Sequence, residues 1–308
     1  MKYLTSLILI LFLACKSELK TGTNDNIDGS PIQYVDVEGG KLSYIIKGNG
    51  KPIIVLGTFI MDSKTYSEEL KEKFELIFLN MRHFEKDNKL KTNEITLQTY
   101  LNDIECLRKK LGYDKVTILG HSAHGLLAIE YAKSYPDNTS HLILIGTPPY
   151  FSQSFNIEKE KFWNANASNE RKEKYQQKWN REKRRITNWF LPDDKKFKIK
   201  IVARSPQRWY DLDFDPAYLW KDVEINSEVM NHFIGSVTMD YSLPDSIKTP
   251  TFIAHGKYDF VIPYTTWTEQ RKSKFTNLSF NLFDKSSHFP QMEQQELFDK
   301  KLIEWIEN

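Results

Sequence analysis

Residues 115–133 read KVTILGHSAHGLLAIEYAK, and this stretch decides the fold. Its first five residues are mostly apolar and β-branched, which is typical of a strand covered on both faces. From Ala123 onward the apolar residues recur at helical spacing. Between the two segments lie Gly120 and Ser122, so the sequence predicts a strand, a tight turn with a serine at its apex, and a helix.

The same alternation extends outward along the chain. Two β-rich runs flank Gly39 and Gly40 and predict an antiparallel hairpin. A hairpin followed by repeated strand and helix predicts an α/β fold with a doubly wound, mostly parallel sheet. The predicted strands are 32–37, 41–46, 52–56, 75–79, 115–119, 141–145, 251–254 and 278–282. The predicted helices are 63–73, 94–111, 123–134, 264–273 and 293–306.

About a hundred residues after 141–145 break this alternation and predict a helical lid inserted over the sheet. Residues 151–222 contain 17 Lys and Arg against 11 Asp and Glu, a local excess of +6, and five of the seven tryptophans. We expect these tryptophans to form core or a substrate wall. The basic run 181–185 indicates a solvated helix face or a surface that rests on anionic headgroups. The predicted core is 31–147 with 245–308, and the predicted lid is 148–244.

The first thirty residues are predicted to lie outside the fold. Lys2 precedes an apolar run that is too short to cross a bilayer, which is typical of a secretion signal. Cys15 after a small residue resembles the box of bacterial lipoproteins, in which this cysteine becomes the lipid-bearing first residue. We therefore expect a signal at 1–14, a polar tether at 15–30 and an exported lipoprotein, anchored to a membrane and facing the periplasm or cell exterior. An ordinary cleaved signal and an uncleaved anchor are the alternatives.

Composition excludes several classes of protein. A chain of 308 residues, 40% hydrophobic and 27% charged, can bury one substantial core. The formal charge of +2 gives no global positive field, so nucleic-acid binding is disfavoured. Of two cysteines only Cys106 lies within the predicted core, which excludes a disulfide framework. The neighbours of Cys106 indicate helix packing rather than a reactive thiol.

Three polar side chains follow three of the predicted strands. Ser122 follows 115–119, Asp259 follows 251–254 and His288 follows 278–282. A neutral serine hydroxyl is a weak nucleophile, so His288 would accept its proton and Asp259 would orient the imidazole. The alternatives are that Ser122 only caps the next helix and that Asp259 only forms a turn.

The oxyanion of an acyl-transfer intermediate needs backbone N–H donors. We expect one from Ala123, immediately after the serine, and one from Phe59 in the loop after 52–56. Thr58 stands in that loop where a glycine is common and narrows its conformational freedom. His121 and His124 are expected to be structural, because a zinc pair at these positions would lack an evident third ligand.

Residues 32–308 resemble the α/β-hydrolase family. The segments FLNMRHF at 78–84, GHSAHG at 120–125, HGKYDFVIP at 255–263 and SSHFPQMEQQELF at 286–298 are similar to its proline iminopeptidase-like branch. The resemblance implies the chain order Ser122, Asp259, His288 and catalysis without metal or organic cofactor.

This chain departs from the family pattern in three places. His124 stands where the GxSxG pattern has its last glycine, and Gly125 follows one position late. The oxyanion loop lacks the glycine and proline of the peptidase members. Those members use lid carboxylates to hold an amino terminus, and the acidic lid residues Asp211, Asp213 and Asp215 match no family motif.

The sequence thus predicts a serine hydrolase that cleaves an ester or amide bond of a small molecule or short peptide through an acyl-enzyme. A proline-iminopeptidase-like aminopeptidase is the narrower alternative. A non-catalytic binding protein with the same fold is the alternative outside the enzymes. Epoxide hydrolases and dehalogenases are disfavoured, because those relatives use aspartate at the position of Ser122.

Overall fold

The computed structural model describes residues 26–86 and 88–307, so the predicted signal and most of the predicted tether lie outside the described residues. A short ribbon of β1 (Asn26–Ile27) and β2 (Ser30–Pro31) precedes the main sheet. The main sheet contains β3 (Gln33–Val37), β4 (Gly40–Lys47), β5 (Lys51–Gly57), β6 (Phe74–Asn80), β7 (Val116–His121), β8 (Thr139–Ile145), β9 (Thr251–Gly256) and β10 (Leu278–Phe283).

The strand order is β10-β9-β8-β7-β5-β6-β4-β3. The hairpin strands β3 and β4 are antiparallel to each other, and β4 is antiparallel to β6. All other pairs are parallel, from β6 across to β10. The predicted doubly wound, mostly parallel sheet is confirmed. Because neighbouring parallel strands end at one edge, the loops after β7, β8, β9 and β10 come together there.

Helices cover both faces of this sheet. One core cluster joins the sheet to α3 and α4, and a second joins the opposite face to α2 and α13. Cys106 is partly buried against the first cluster, as its neighbours predict. The helices of the sheet region are α1 (Phe59–Asp62), α2 (Glu68–Lys73), α3 (Leu97–Leu111), α4 (Ala123–Ser134), α11 (Glu269–Lys272), α12 (Pro290–Glu293) and α13 (Gln295–Glu307).

Several predicted helix boundaries are wrong for an identifiable reason. The helix predicted at 63–73 begins only at Glu68, because the Ser67 side chain accepts the Leu70 N–H as a cap. The helix predicted at 94–111 begins at Leu97, where Thr96 caps it through the Thr99 N–H. The segment predicted as one helix at 264–273 is a single 3₁₀ turn followed by α11.

The chain between β8 and β9 forms a helical insertion, the name used below for residues 148–244. Its first three helices are long enough to form a layer of their own, and α6 and α7 pack against each other. α10 returns to the sheet region and contacts α4 and α3. The helices are α5 (Gln153–Asn166), α6 (Asn169–Ile186), α7 (Asp193–Ala203), α8 (Ser205–Arg208), α9 (Ala217–Trp220) and α10 (Ser227–Thr238).

Within residues 26–86 and 88–307, no helix combines the length and apolar character that crossing a bilayer requires. The predicted lipidation site, Cys15, lies outside the described residues.

Candidate active site

Ser122 occupies a strained turn between β7 and α4. Its φ is +56° and its ψ is −125°, a region that side chains other than glycine rarely adopt. The Ser122 N–H donates to the Ile145 carbonyl at 2.8 Å, which ties the turn to the end of β8. Its side chain makes no cap hydrogen bond to α4. The capping alternative therefore does not explain this serine, whose hydroxyl stands at the apex of the turn.

The turn has no room for a side chain at Gly120 or Gly125. A Cβ on Gly120 would lie 2.3 Å from the His124 carbonyl oxygen, and a Cβ on Gly125 would lie 1.9 Å from Thr147 Oγ1. Gly125 thus provides the close approach to the neighbouring strand end that the family pattern assigns one position earlier. Gly125 therefore takes the packing role of the glycine that the family pattern has where this chain has His124.

His124 is accommodated by aromatic neighbours rather than by small ones. Its Nε2 lies 3.0 Å from His83 Nε2, and its ring stacks on Phe233 of α10 at 5.2 Å. Burial lowers the pKa of His124 to about 4, so both histidines are neutral at pH 7. Within the described parts of the chain, no group of three or more potential ligands could hold a metal ion.

Asp259 and His288 meet as predicted. His288 Nδ1 lies 2.7 Å from Asp259 Oδ2, and both side chains are fully buried. Asp259 Oδ1 accepts the Val261 and Ile262 N–H groups, each at 2.8 Å. Since both carboxylate oxygens are bonded, the aspartate is held in one orientation and fixes the proton of His288 on Nδ1. The remaining nitrogen, Nε2, can then act as an acceptor.

His288 Nε2 is buried and has no hydrogen-bond partner within the described residues. Two contacts place this ring beside the Ser122 turn. The His121 ring lies 4.5 Å from the His288 ring, with His121 Nε2 donating to the His288 carbonyl at 2.9 Å. A Cβ on Gly146, at the end of β8, would lie 2.9 Å from His288 Nδ1. The structure brings the three predicted residues to one edge, with no Ser122–His288 hydrogen bond formed.

Electrostatics keep the imidazole in its neutral form. Burial lowers the pKa of His288 well below its usual range, and the positive charges of Arg208 and Arg204 lower it further. Burial raises the pKa of Asp259 to about 7, against the hydrogen bonds from Val261 and Ile262. A neutral His288 is the state that a proton acceptor needs.

The two predicted oxyanion donors differ. Ala123 is the first residue of α4, and its N–H has no partner within the described residues, so it is available. The Phe59 N–H donates to Asn80 Oδ1 at 3.2 Å, so in this geometry the predicted donor is occupied. The adjacent Thr58 N–H donates to the buried Asp62 carboxylate at 2.6 Å. The predicted role of Phe59 therefore requires the Asn80 side chain to move.

Sequence reasoning missed Glu293, which brackets the predicted base. Glu293 Oε2 accepts the Ser287 N–H at 2.7 Å and the Phe289 N–H at 3.4 Å, the residues on both sides of His288. Glu293 Oε1 accepts the Tyr210 N–H from the insertion. Burial raises the pKa of Glu293 to about 7. The signal was a glutamate one turn after the His288 loop, at the end of α12.

Sequence reasoning also missed Arg208 at the end of α8. Its carbonyl accepts the His288 N–H at 3.0 Å, and its guanidinium carbon lies 6.0 Å from the centre of the Phe289 ring.

The acidic lid residues Asp211, Asp213 and Asp215 are exposed. Asp211 and Asp215 accept backbone N–H groups in turns, and Asp213 pairs with Lys174 at 2.6 Å. None of the hydrogen bonds or ion pairs found among the described residues joins these three carboxylates to the His288 loop.

Three surface cavities of the described residues are lined by other side chains. Cavities of about 640 and 650 Å³ are lined by residues such as Tyr66 and Lys221, and one of about 330 Å³ by residues such as Tyr241. None of these three is lined by Ser122 or His288.

Known proteins share this fold and sequence pattern. The profile of a family described as alpha/beta hydrolase fold matches residues 51–295. The AB hydrolase superfamily protein YclE of Bacillus subtilis (strain 168) is 29% identical over 281 residues, 88% of this chain and 96% of that protein. A proline iminopeptidase of Clostridium botulinum (strain Hall) is 25% identical over 227 residues, which cover 68% of this chain and 72% of that enzyme.

Among solved structures, an alpha/beta fold family hydrolase from Bacillus anthracis str. Sterne superposes with a TM-score of 0.68 at 19% identity. The match covers 90% of this chain and 99% of the other. At this identity the likeness concerns the fold.

Proposed function

The chain belongs to the α/β-hydrolase family, and on this premise we propose that it is a serine hydrolase that cleaves an ester or amide bond through an acyl-enzyme. The observation that carries this proposal is the buried pair of Asp259 and His288, joined at 2.7 Å, whose free nitrogen lies beside the turn of Ser122. This is the arrangement that activates a serine for acyl transfer.

The proposed reaction starts when the Ser122 hydroxyl rotates toward His288 Nε2. Its oxygen attacks the carbonyl carbon of the substrate while its proton passes to Nε2. Asp259 stabilises the imidazolium, and the Ala123 N–H donates to the oxyanion. His288 then protonates the leaving alcohol or amine, which leaves an acyl group on Ser122. A water molecule that loses its proton to His288 hydrolyses this ester and restores the enzyme.

The substrate of the proposed hydrolase is a small molecule or short peptide. Aminopeptidase activity of the proline iminopeptidase kind has the support of the resemblance and of the relative from Clostridium botulinum. The charges near the site argue against it. The acidic lid residues that could hold an amino terminus are exposed, and Asp213 is paired with Lys174. An ester or amide without a free amino terminus fits the site better.

A fluorophosphonate probe tests the proposal, because it reacts with an activated serine. The wild-type chain is expected to be labelled, and Ser122→Ala is expected to remain unlabelled. A wild-type chain that resists the probe, or a Ser122→Ala variant that still reacts, would overturn it. Turnover of p-nitrophenyl butyrate compared with proline p-nitroanilide then separates an esterase from an aminopeptidase, and faster cleavage of the anilide would favour the latter.

We also propose that the protein is exported and carries a lipid on Cys15. The support is the sequence of residues 1–15 alone. Metabolic labelling with radioactive palmitate in a bacterial host is expected to mark the wild-type chain and to fail with Cys15→Ser. Equal labelling of both chains, or of neither, would contradict the proposed lipidation.

A further inference from the structure

An arginine lies beside the proposed base without a carboxylate partner. Arg208 is bonded to the base through its own backbone, since its carbonyl accepts the His288 N–H at 3.0 Å. Its guanidinium carbon lies 6.0 Å from the Phe289 ring, which itself lies 4.5 Å from His121 and 5.4 Å from His288. Arg208 Nε is buried with no hydrogen-bond partner, and across residues 26–86 and 88–307 no ion pair includes Arg208.

A buried N–H group without a hydrogen-bond partner costs free energy, and Arg208 Nε is such a group although the residue as a whole is partly exposed, so its position needs a reason. The charge of Asp259 raises the pKa of Arg208, but the oxygens of Asp259 are already bonded to His288, Val261 and Ile262. The charge of Arg208 nevertheless acts on the site, since it lowers the pKa of both Asp259 and His288. The guanidinium therefore lies near Phe289, the residue after His288, and no ion pair of the described residues includes it.

A second cation stands near the first. Arg204 also lowers the pKa of His288 and that of Arg208, and its Nε donates to Gln207 Oε1 at 3.0 Å. The segment that carries both is rigidly held, because the buried Arg171 guanidinium donates to three of its backbone carbonyls at 2.7 Å each. These carbonyls belong to Pro206, Trp209 and Tyr210.

We propose that Arg208, assisted by Arg204, binds a carboxylate of the substrate, so that this enzyme selects esters or amides bearing a carboxylate near the scissile carbonyl. The inference rests on the proposed function. A guanidinium binds a carboxylate through two parallel hydrogen bonds, which orients the substrate as well as attracting it. A substrate without the carboxylate leaves the cation unpaired, which is a strong basis for discrimination.

The test compares p-nitrophenyl hydrogen glutarate with its methyl ester, which has nearly the same shape and no charge. For the wild-type enzyme we expect kcat/KM to be about tenfold or more higher for the acid. Arg208→Gln should abolish this preference, lowering kcat/KM for the acid about tenfold or more relative to kcat/KM for the methyl ester, and Arg208→Lys should retain part of it. Arg184→Gln, an exposed arginine of the insertion, is the matched control and should keep all of it.

A wild-type enzyme without the preference, or an Arg208→Gln variant that retains it, would overturn the inference. Binding to Ser122→Ala distinguishes this failure from failure of the proposed function, since it needs no chemistry. By calorimetry, Ser122→Ala should bind monomethyl glutarate more tightly than dimethyl glutarate, and adding Arg208→Gln should remove the difference. Equal binding of the two esters by Ser122→Ala would refute the role of Arg208 even if fluorophosphonate labels the wild type.

The tip of the insertion, defined here as residues 183–196, comprises the last turn of α6, the connection to α7 and the first turn of α7. Two adjacent aromatic side chains, Trp189 and Phe190, are 88% and 91% exposed. The prediction that the insertion tryptophans form core or a substrate wall is wrong for Trp189. The tip carries five Lys and Arg against two Asp, an excess of +3.

We infer that this tip inserts into the surface of an anionic lipid bilayer. Large apolar side chains exposed together indicate an interaction surface. Segments that lie at the boundary between lipid headgroups and acyl chains typically contain tryptophan and phenylalanine flanked by lysine and arginine. The charge excess selects an anionic membrane over a neutral one.

Quenching of tryptophan fluorescence by brominated lipid tests this in the full chain reconstituted into vesicles. The contribution of Trp189 is the difference between the wild type and Trp189→Phe, with Trp179→Phe in the preceding helix α6 as control. We expect strong quenching of that contribution in vesicles containing phosphatidylglycerol and weaker quenching in phosphatidylcholine alone. Trp189 emission that is unquenched in both would overturn the inference, as would a blue-shifted emission that depends on protein concentration, which indicates a second copy.

Discussion

Different interactions determine the positions of two regions: the loops after β7, β9 and β10, and the helical insertion. β7 and β9 lie inside the sheet and are buried along their whole length, whereas β10 is the edge strand and is only partly buried. The insertion is mostly polar, and only one residue of its longest helix, Arg171 in α6, is buried. Backbone hydrogen bonds of the sheet determine where the loops lie. Side chains of the insertion that pack into the first core cluster, such as Trp209, Leu219 and Phe233, determine where the insertion lies.

The two regions meet at His288. From the sheet side, Asp259 holds its ring at 2.7 Å. From the insertion, the Arg208 carbonyl accepts its N–H, and Trp209 stacks on Phe289 at 4.4 Å with the rings nearly parallel. The sheet thus holds the His288 side chain, and the insertion holds the backbone of the same loop. Variants on the two sides should fail in different ways.

The largest expected effect is the loss of activity when the proposed base, His288, is removed. His288→Ala should lower kcat/KM for a p-nitrophenyl ester by about 10⁴-fold or more, because Ser122 loses its proton acceptor. His141→Ala, a histidine on β8 remote from the pair, is the control and should keep wild-type activity. Steady-state kinetics on both variants, with melting temperatures to confirm folding, provide the measurement. Activity within tenfold of wild type in folded His288→Ala would remove His288 from the mechanism.

Arg171→Met should produce the largest effect from the insertion side. It leaves three backbone carbonyls without their charged donor, and we expect the free energy of unfolding to fall by about 3 kcal/mol. Hydrogen exchange should accelerate most at 205–210, while the strands keep their protection. Arg171→Lys should recover part of the loss. Uniform acceleration across the sheet and the insertion would contradict the separate origin of their stability.

Gly256→Ala tests the sheet side more finely. A Cβ there would lie 1.9 Å from the Ser287 carbonyl oxygen and 2.5 Å from that of Ser286, backbone atoms that no rotamer change can move. We expect a loss of about 2 kcal/mol and a fall in kcat of about tenfold, because the His288 loop is displaced from Asp259. Gly235→Ala in α10 meets nothing within 4 Å and should be neutral or stabilising, as denaturant unfolding would report. A wild-type kcat in Gly256→Ala would show that displacing the His288 loop from Asp259 does not impair the reaction.

The same contrast explains what could be predicted from the sequence. The strands, and the positions of Asp259 and His288 after them, follow from a local pattern in which an apolar run is followed by polar residues. The topology of the sheet then brings the ends of these strands together. Helix starts were predicted too early, because the periodicity extends past the residue, such as Ser67, that caps the helix. The position of His124 is intelligible only with Phe233 stacked on it, a contact between residues more than a hundred positions apart.

Contacts of the insertion were harder to predict for the same reason. Nothing local distinguishes Arg208 from the neighbouring basic residues, and its role follows only from the bond between its carbonyl and the His288 N–H. The exposure of Trp189 depends equally on the distance of the α6–α7 connection from the sheet. The Phe59 donor was inferred from loop register, which carries no information about the Asn80 side chain that occupies it.

The smallest expected effect joins the two regions through charge. Since burial and the charges of Arg208 and Arg204 lower the pKa of His288, protonation of His288 should reduce kcat/KM for a neutral ester only below the usual pH range of a histidine. Arg208→Gln removes one positive charge, which makes the imidazolium easier to form and raises the pKa of His288. The acid limb should therefore move to higher pH, and activity at pH 5 relative to pH 8 should fall by about two- to fivefold. Arg184→Gln should leave the profile unchanged, because that arginine is exposed on the far tip of the insertion. An acid limb that moves to lower pH in Arg208→Gln, or does not move, would mean that the guanidinium does not act on the base, and the two regions would then be coupled by backbone contacts alone.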